Sequence, residues 1–259
     1  VTPSGNDFDT CRTNTDTTMD KNIYGFDPNP NVVEQTTARS FPAMMSRVYL
    51  WMTLALVITG LAAYYVAGNE TLLFSIINSR GLMWGLVIAE LALVFVLSGA
   101  IARLSFPVAG LFFGAFSLLN GVNLSVILLA YTAESIATTF FVTAGTFGAL
   151  TLFGLFTKRD LSAVGRFCYM SLFGLIIATL VNVFVASSAL SWGLTYIGVL
   201  IFCGLTAYDT QKMKDILFQY EATGGEGLSK VALLCSLSLY LDFINLFLYL
   251  LRIFGDRRN

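Results

Sequence analysis

From residue 46 to residue 254, long apolar runs alternate with short polar connections. The runs lie at 46–67, 81–102, 107–130, 137–157, 167–187, 191–212 and 230–254. Each is of the length, about 20 residues, that carries a helix across the hydrocarbon core of a bilayer. No alternation of strand type and no barrel-like periodicity accompanies them, so the expected fold is all-α, a polytopic membrane bundle of seven helices. The short connections favour antiparallel neighbours. Pro107 opens the third run, where a missing N–H is tolerated. The stretch before the first run is polar, rich in Thr, Asn and Asp, and without an apolar core. It is expected to be a disordered tail, which divides the chain into a tail, 1–45, and a transmembrane domain, 46–255. The tail has no apolar h-region, so no cleaved signal peptide is expected. The change of character at Met19 leaves open whether residues 1–18 belong to the native chain.

The basic residues give an orientation, because Lys and Arg collect in cytoplasmic loops. Arg39 and Arg47 precede the first run and Arg103 follows the second. Lys158, Arg159 and Arg166 connect the fourth and fifth, and Lys212, Lys214 and Lys230 the sixth and seventh. All fall on one side, so the N-terminus is expected in the cytoplasm. The opposite loops carry only Arg80, with Glu70 and Glu134. Arg252, Arg257 and Arg258 disagree, since they fall outside if the last run spans. Either that run is re-entrant or a late cluster is overruled by the earlier loops; seven spans is the reading adopted.

Composition agrees with a membrane protein: 56% of residues are hydrophobic and only 12% charged, against about a quarter charged in soluble chains. A net charge of −1 offers no basic face to nucleic acid. The sequence has no histidine, which removes the commonest general base, zinc ligand and near-neutral proton switch. Any pH response inside the membrane then falls to carboxylates. The cysteines Cys11, Cys168, Cys203 and Cys235 show no C-x-x-C spacing and read as small packing residues.

Two carboxylates stand out. Asp209 lies in GLTAYDTQK, at the end of the sixth run, and Asp242 in YLDFINLF, inside the seventh. Each is costly in hydrocarbon unless it meets the other, a cation or water. Two carboxylates at hydrogen-bonding distance do not readily both ionise, so they would share a proton. When both are charged they repel or take up a cation. The bland alternative is that each bonds a hydroxyl or caps a helix end. In the last run Cys235, Ser238, Asp242, Asn245, Tyr249 and Arg252 recur at three- and four-residue steps and line one helical face. Such a stripe suits a central helix or one beside a wet cavity, or else polar bonding between helices. Glu90, in the middle of the second run, needs a proton or a partner. Arg103 lies about 20 Å further along the same helix, too far to pair with Glu90 directly, but its long side chain could reach Asp209 or Asp242. Asn120, Asn123 and Asn182 are explained by interhelical hydrogen bonds, and Gly110, Gly114, Gly145 and Gly148 by close helix approach.

GLTAYDTQKMK and SLYLDFINLFLYLLRIFG resemble the two C-terminal signatures of the Bax inhibitor-1 (transmembrane Bax inhibitor motif) family, most closely its bacterial members. The resemblance covers about residues 40–255, and the earlier helices match in character only. It implies six helices around a central seventh. It also implies a pH-sensitive calcium leak, closed while an aspartate pair on the sixth and seventh helices is hydrogen-bonded and open on deprotonation. By motif match that pair is Asp209 and Asp242, and an acidic and a basic residue of the second helix, here Glu90 and Arg103, would stand near the pathway with Ser238 and Asn245. Calcium would be the transported ion rather than a permanent cofactor, and oxygen ligands suit it. The expected setting is the cytoplasmic membrane of a bacterium.

Two other function classes compete. Intramembrane aspartyl proteases of the presenilin type carry Tyr-Asp on one helix, as in Tyr208-Asp209, and Gly-x-Gly-Asp on the next. Here the second motif reads Leu239-Tyr240-Leu241-Asp242, without the glycines that admit a substrate backbone, and an enzyme is not expected. Serine and metal intramembrane proteases would need histidine. A non-transporting interaction protein that modulates a membrane-bound protease is the stronger alternative, since some bacterial relatives are associated with that role. A proton-coupled exchanger is a third.

Overall fold

Among the described residues the apolar runs become helices, named here in chain order: α1 (Pro30–Ala67), α2 (Glu70–Asn78), α3 (Arg80–Ala100), α4 (Phe106–Ala130), α5 (Ala133–Phe156), α6 (Ser162–Val185), α7 (Ser188–Glu221) and α8 (Glu226–Phe254). The computed structural model describes residues 30–100, 103–221 and 226–258. It divides the chain into two units, residues 1–40 and 41–259. Of the first unit, residues 30–40 are described, and they are helical. α1 is described from Pro30, ahead of the first apolar run. Once an apolar span has nucleated a helix, each further residue adds a hydrogen bond at small cost, so polar flanks can continue it. Residues 1–29, with Met19, lie outside the described residues.

Among the described residues of the second unit seven helices are long and apolar enough to cross a membrane, α1 contributing Ala43–Ala67 and α7 contributing Ser188–Leu217. The helices overrun the apolar windows for the same reason that α1 does. Short α2 escapes a search for spans, having 9 residues. Asn69 caps it by accepting from the Leu72 N–H at 3.2 Å, and it turns Leu73 and Ile76 inward.

The C-terminal helix is the centre. Of the α8 span 67% is buried inside the protein, against 6% of the α3 span and 11% of the α6 span. α4, α5 and α7 pack on α8, while α3 lies against α4 and α6 against α7. α1 is tied in by hydrogen bonds. Ser236 Oγ on α8 lies 2.9 Å from the Val48 carbonyl and 2.7 Å from that of Ala232, sharing its one proton between them, and Tyr240 OH meets Thr59 Oγ1 at 2.7 Å. Thr59 Oγ1 also lies 2.8 Å from the Ala55 carbonyl and 2.9 Å from that of Ser117. A hydroxyl carries one proton, so Tyr240 donates to Thr59 and Thr59 donates to a backbone oxygen. The Tyr240 ring is fully buried and sits edge-on to Phe113 and Phe116.

Close helix approach is made by other glycines than those expected. A Cβ on Gly114, Gly145 or Gly148 would meet nothing within 4 Å, and one on Gly110 would meet only the Trp51 ring, at 3.4 Å. A Cβ on Gly121 would stand 2.5 Å from the Thr59 carbonyl oxygen, where α4 crosses α1. Gly154 likewise admits the α7 backbone at Ala207, and Gly165 and Gly198 admit the rings of Tyr208 and Tyr249. Small size identifies candidates, but the register of the neighbouring helix decides which of them touch. Asn182 is a second correction. Its Oδ1 accepts from Ser187 N at 3.1 Å and closes the end of α6, where Ala186 is left-handed with φ 50°; it is a local cap.

The basic C-terminus is placed by backbone pairing. After α8, Thr132 N donates to Asp256 O at 3.1 Å and Arg258 N to Ala130 O at 3.0 Å. Tyr131 and Arg257 form an antiparallel bridge. The end of α8 therefore lies at the α4–α5 turn, at the opposite end of the bundle from the α3–α4 turn. The last run spans the bundle and is not re-entrant.

Candidate functional site

GLTAYDTQK runs along the part of α7 that faces α5, α6 and α8 at once, and each polar residue has a separate task. Thr206 and Thr210 are fully buried and return their hydroxyl protons to the Phe202 and Thr206 carbonyls, both at 2.7 Å. Gln211 pins the α5–α6 turn, accepting from Leu161 N at 2.8 Å and donating to Arg159 O at 2.9 Å. The Lys212 ammonium lies 5.9 Å from the centre of the Tyr208 ring, and Lys214 donates to Leu155 O at 3.0 Å. Gly204 leaves room for the Cys168 sulfur. These contacts hold α7 in one rotation, and that rotation turns Asp209 inward.

Asp209 and Asp242 are 8% and 5% exposed, and both line one cavity of about 450 Å³ between α6, α7 and α8. Ser238, Asn245 and Tyr249 line it from α8, with Tyr169 from α6. Tyr169 OH donates to the Asp209 carboxylate, 3.0 Å from Oδ1 and 3.3 Å from Oδ2, and its ring sits edge-on to Tyr208. Asp242 Oδ2 is buried and has no hydrogen-bond partner among the described residues. Asn245, which lines the cavity, donates its amide N–H to the Leu241 carbonyl at 2.8 Å. A second cavity, of about 250 Å³, is lined by Lys212, Cys235 and Ser98. Asp209, Ser238 and Leu241 line both cavities, so these three side chains form the partition between them.

The α8 stripe is thereby distributed. Cys235 faces the second cavity, Ser238 both, and Asp242, Asn245 and Tyr249 the first. Arg252 donates to Ser191 Oγ at the start of α7. Glu90 stands elsewhere, on α3, accepting from the side-chain amides of Asn120 and Asn123 on α4, the latter at 2.5 Å. Those two asparagines make the interhelical bonds expected of them. Arg103 is exposed in the turn between α3 and α4 and, among the described residues, bonds to neither aspartate. The structure thus brings Asp209, Asp242, Ser238 and Asn245 to one cavity, and it brings neither Glu90 nor Arg103 there.

Comparison with known proteins addresses the same segments. The family model described as inhibitor of apoptosis-promoting Bax1 matches residues 42–259. The chain belongs to the Bax inhibitor-1 family. It is similar to the inner membrane protein YbhL of Escherichia coli K12, 50% identical over 214 residues, which cover 83% of this chain and 92% of that protein. An uncharacterized protein of Deinococcus radiodurans is 43% identical over 226 residues, 87% of this chain and 96% of the relative. An uncharacterized membrane protein of Streptococcus pyogenes serotype M6 is 42% identical over 187 residues, 72% of this chain and 80% of the relative. This member of the family is a multi-pass integral membrane protein, and the match takes in every spanning helix together with the pinned C-terminus.

Tyr169 is the site residue that sequence reasoning missed. It lies on α6 with no charge or motif to mark it, and it reaches Asp209 only through the packing of α6 on α7. Gly165 carried a faint signal: one turn before Tyr169, it leaves the space that the Tyr208 ring fills.

Proposed function

We propose that this member of the Bax inhibitor-1 family is a pH-sensitive calcium leak, gated where Asp209 and Asp242 face one cavity. The observation that carries the reading is the partition. Two cavities lie in line along the α7–α8 seam, and Asp209, Ser238 and Leu241 separate them. Among the described residues Asp209 is bonded by Tyr169 and not directly by Asp242; in the closed state one of the two facing aspartates carries a proton, which removes the repulsion that two buried carboxylates would suffer. Loss of that proton at higher pH leaves two negative charges in a low-dielectric site. They move apart or draw in a divalent cation, and either outcome opens the partition. Carboxylate, hydroxyl and amide oxygens from Asp209, Asp242, Ser238 and Asn245 are the donors a hard cation takes. Calcium held permanently takes six to eight oxygens, so a smaller set completed by water suits an ion that must also leave. Calcium is cargo in this scheme, and no catalytic step is invoked.

The basic loops and the relative named as an inner membrane protein support the proposed setting: the cytoplasmic membrane of a bacterium, with the N-terminus in the cytoplasm. Glu90, bonded to Asn120 and Asn123, and Arg103, in the turn after α3, stand away from the partition and take no direct part in the proposed gate.

Calcium flux into proteoliposomes, followed against pH, tests the proposal. Leak should rise with pH in the wild type and lose its pH dependence in Asp209→Asn and in Asp242→Asn. Unaltered leak in both variants would favour the interaction protein that modulates a membrane-bound protease, and calcium-dependent proton flux would favour an exchanger.

A further inference from the structure

A wide groove lies away from the aspartates. It has a volume of about 1040 Å³ and is bounded by the end of α1, the end of α4 and the beginning of α5. This is at the upper end of the roughly 300–1,000 Å³ typical of small-molecule pockets, and the lining is almost wholly apolar. Tyr64, Tyr65 and Phe141 are 78%, 67% and 74% exposed along it. It starts at Gly68 and Ala133, at the end of the bundle, and reaches Leu61 and Phe141. At 1.5 Å rise per residue that is about 9–12 Å toward the membrane interior. Exposed aromatic rings at this depth are those of a membrane–water interface.

One charged side chain lines the groove, and it is Arg258. Its backbone is fixed, because its N–H donates to Ala130 O at 3.0 Å and the preceding residue pairs with Tyr131. Asp256, its acidic neighbour in the chain, is not part of the lining and has its backbone N–H engaged with Ser135 Oγ at 3.0 Å. An apolar trough at bilayer depth, closed at its interfacial end by a pinned arginine, is complementary to a molecule with hydrocarbon chains and an anionic head.

We propose that this groove is a binding site for an anionic phospholipid, with the phosphate on Arg258 and an acyl chain along Tyr65, Leu129, Phe140 and Phe141. The site accounts for Arg258 on a side of the bundle that otherwise carries, of the basic residues, only Arg80, Arg252 and Arg257: Arg258 is a lipid ligand rather than a topology signal. It is independent of the leak reading, since none of its residues lines either cavity at the aspartates.

The test is native mass spectrometry of the purified full chain, titrated with phosphatidylglycerol or with phosphatidylcholine. Wild type should retain phosphatidylglycerol about five-fold more tightly, the effect of one basic residue near the membrane surface, worth about 1 kcal/mol. Arg258→Gln should abolish the preference and Arg258→Lys should keep it. Ala137→Trp, at an exposed position on the groove wall, should fill the trough and release both lipids while leaving Arg258 in place. A preference that survives Arg258→Gln, or phosphatidylglycerol still bound to Ala137→Trp, would overturn the proposal. So would a lipid-free dimer in the wild type, since a second copy would then cover the groove.

Discussion

Removing one oxygen atom should move the pH response of the leak. In Tyr169→Phe the ring and its edge-on contact with Tyr208 remain, and only the hydroxyl that donates to Asp209 at 3.0 and 3.3 Å is lost. That proton serves one carboxylate oxygen at a time, so a single hydrogen bond to a charged acceptor disappears, worth about 1.5–3 kcal/mol. The bond favours the ionised form of its acceptor. Without it the proton is held more firmly, and the partition stays shut to higher pH. At about 1.36 kcal/mol per unit, the midpoint of the leak–pH curve should move up by about one to two units. The assay is calcium entry into proteoliposomes over a pH series, with protein density matched between wild type and variant. A midpoint that stays in place, or moves down, would refute the reasoning, because the hydroxyl would then not act on the ionised carboxylate.

Two further substitutions test the frame that holds the site. Tyr240→Phe removes the hydroxyl bonded to Thr59 and should cost about 0.6–1.7 kcal/mol, the range of such bonds in membrane proteins. Tyr240→Ala also vacates the fully buried space beside Phe113 and Phe116 and should cost about 3–5 kcal/mol. Unfolding in mixed detergent reads both, and equal losses would contradict α8 as the packed centre. Gly121→Ala places a methyl group against the α1 backbone and should destabilise by about 1–3 kcal/mol. Gly145→Ala meets nothing and should stabilise by about 0.5–1 kcal/mol, so the same measurement gives the two changes opposite signs.

What the sequence made legible depends on how far each feature reaches. Spanning helices announce themselves within one window of about 20 apolar residues, and all seven stand where the runs are. Asp209 and Asp242 were visible because a carboxylate among Leu and Phe is costly whatever surrounds it. The stripe on α8 was visible because its spacing belongs to a single helix. Features that depend on a second helix were not. Gly114 and Gly121 are equivalent in sequence, yet only the second meets α1. Asn182 looked like Asn120, but it lies within reach of the end of α6 and caps it. Asn120 and Asn123, three residues apart, advertised a common face without naming Glu90 as what they face. Tyr169 was illegible for the same reason. The short α2 failed differently, since 9 residues with two inward positions look like a loop beside spans of more than 20.

The account rests on acidic groups from two helices acting as one proton-holding unit, and the most direct measurement is calcium leak across a full pH range in three proteins, wild type, Asp209→Asn and Asp242→Asn. A leak that climbs with pH in the first and is flat in both of the others is the predicted result. A pH-dependent leak that persists in either variant would contradict the account, because a single remaining carboxyl would then suffice.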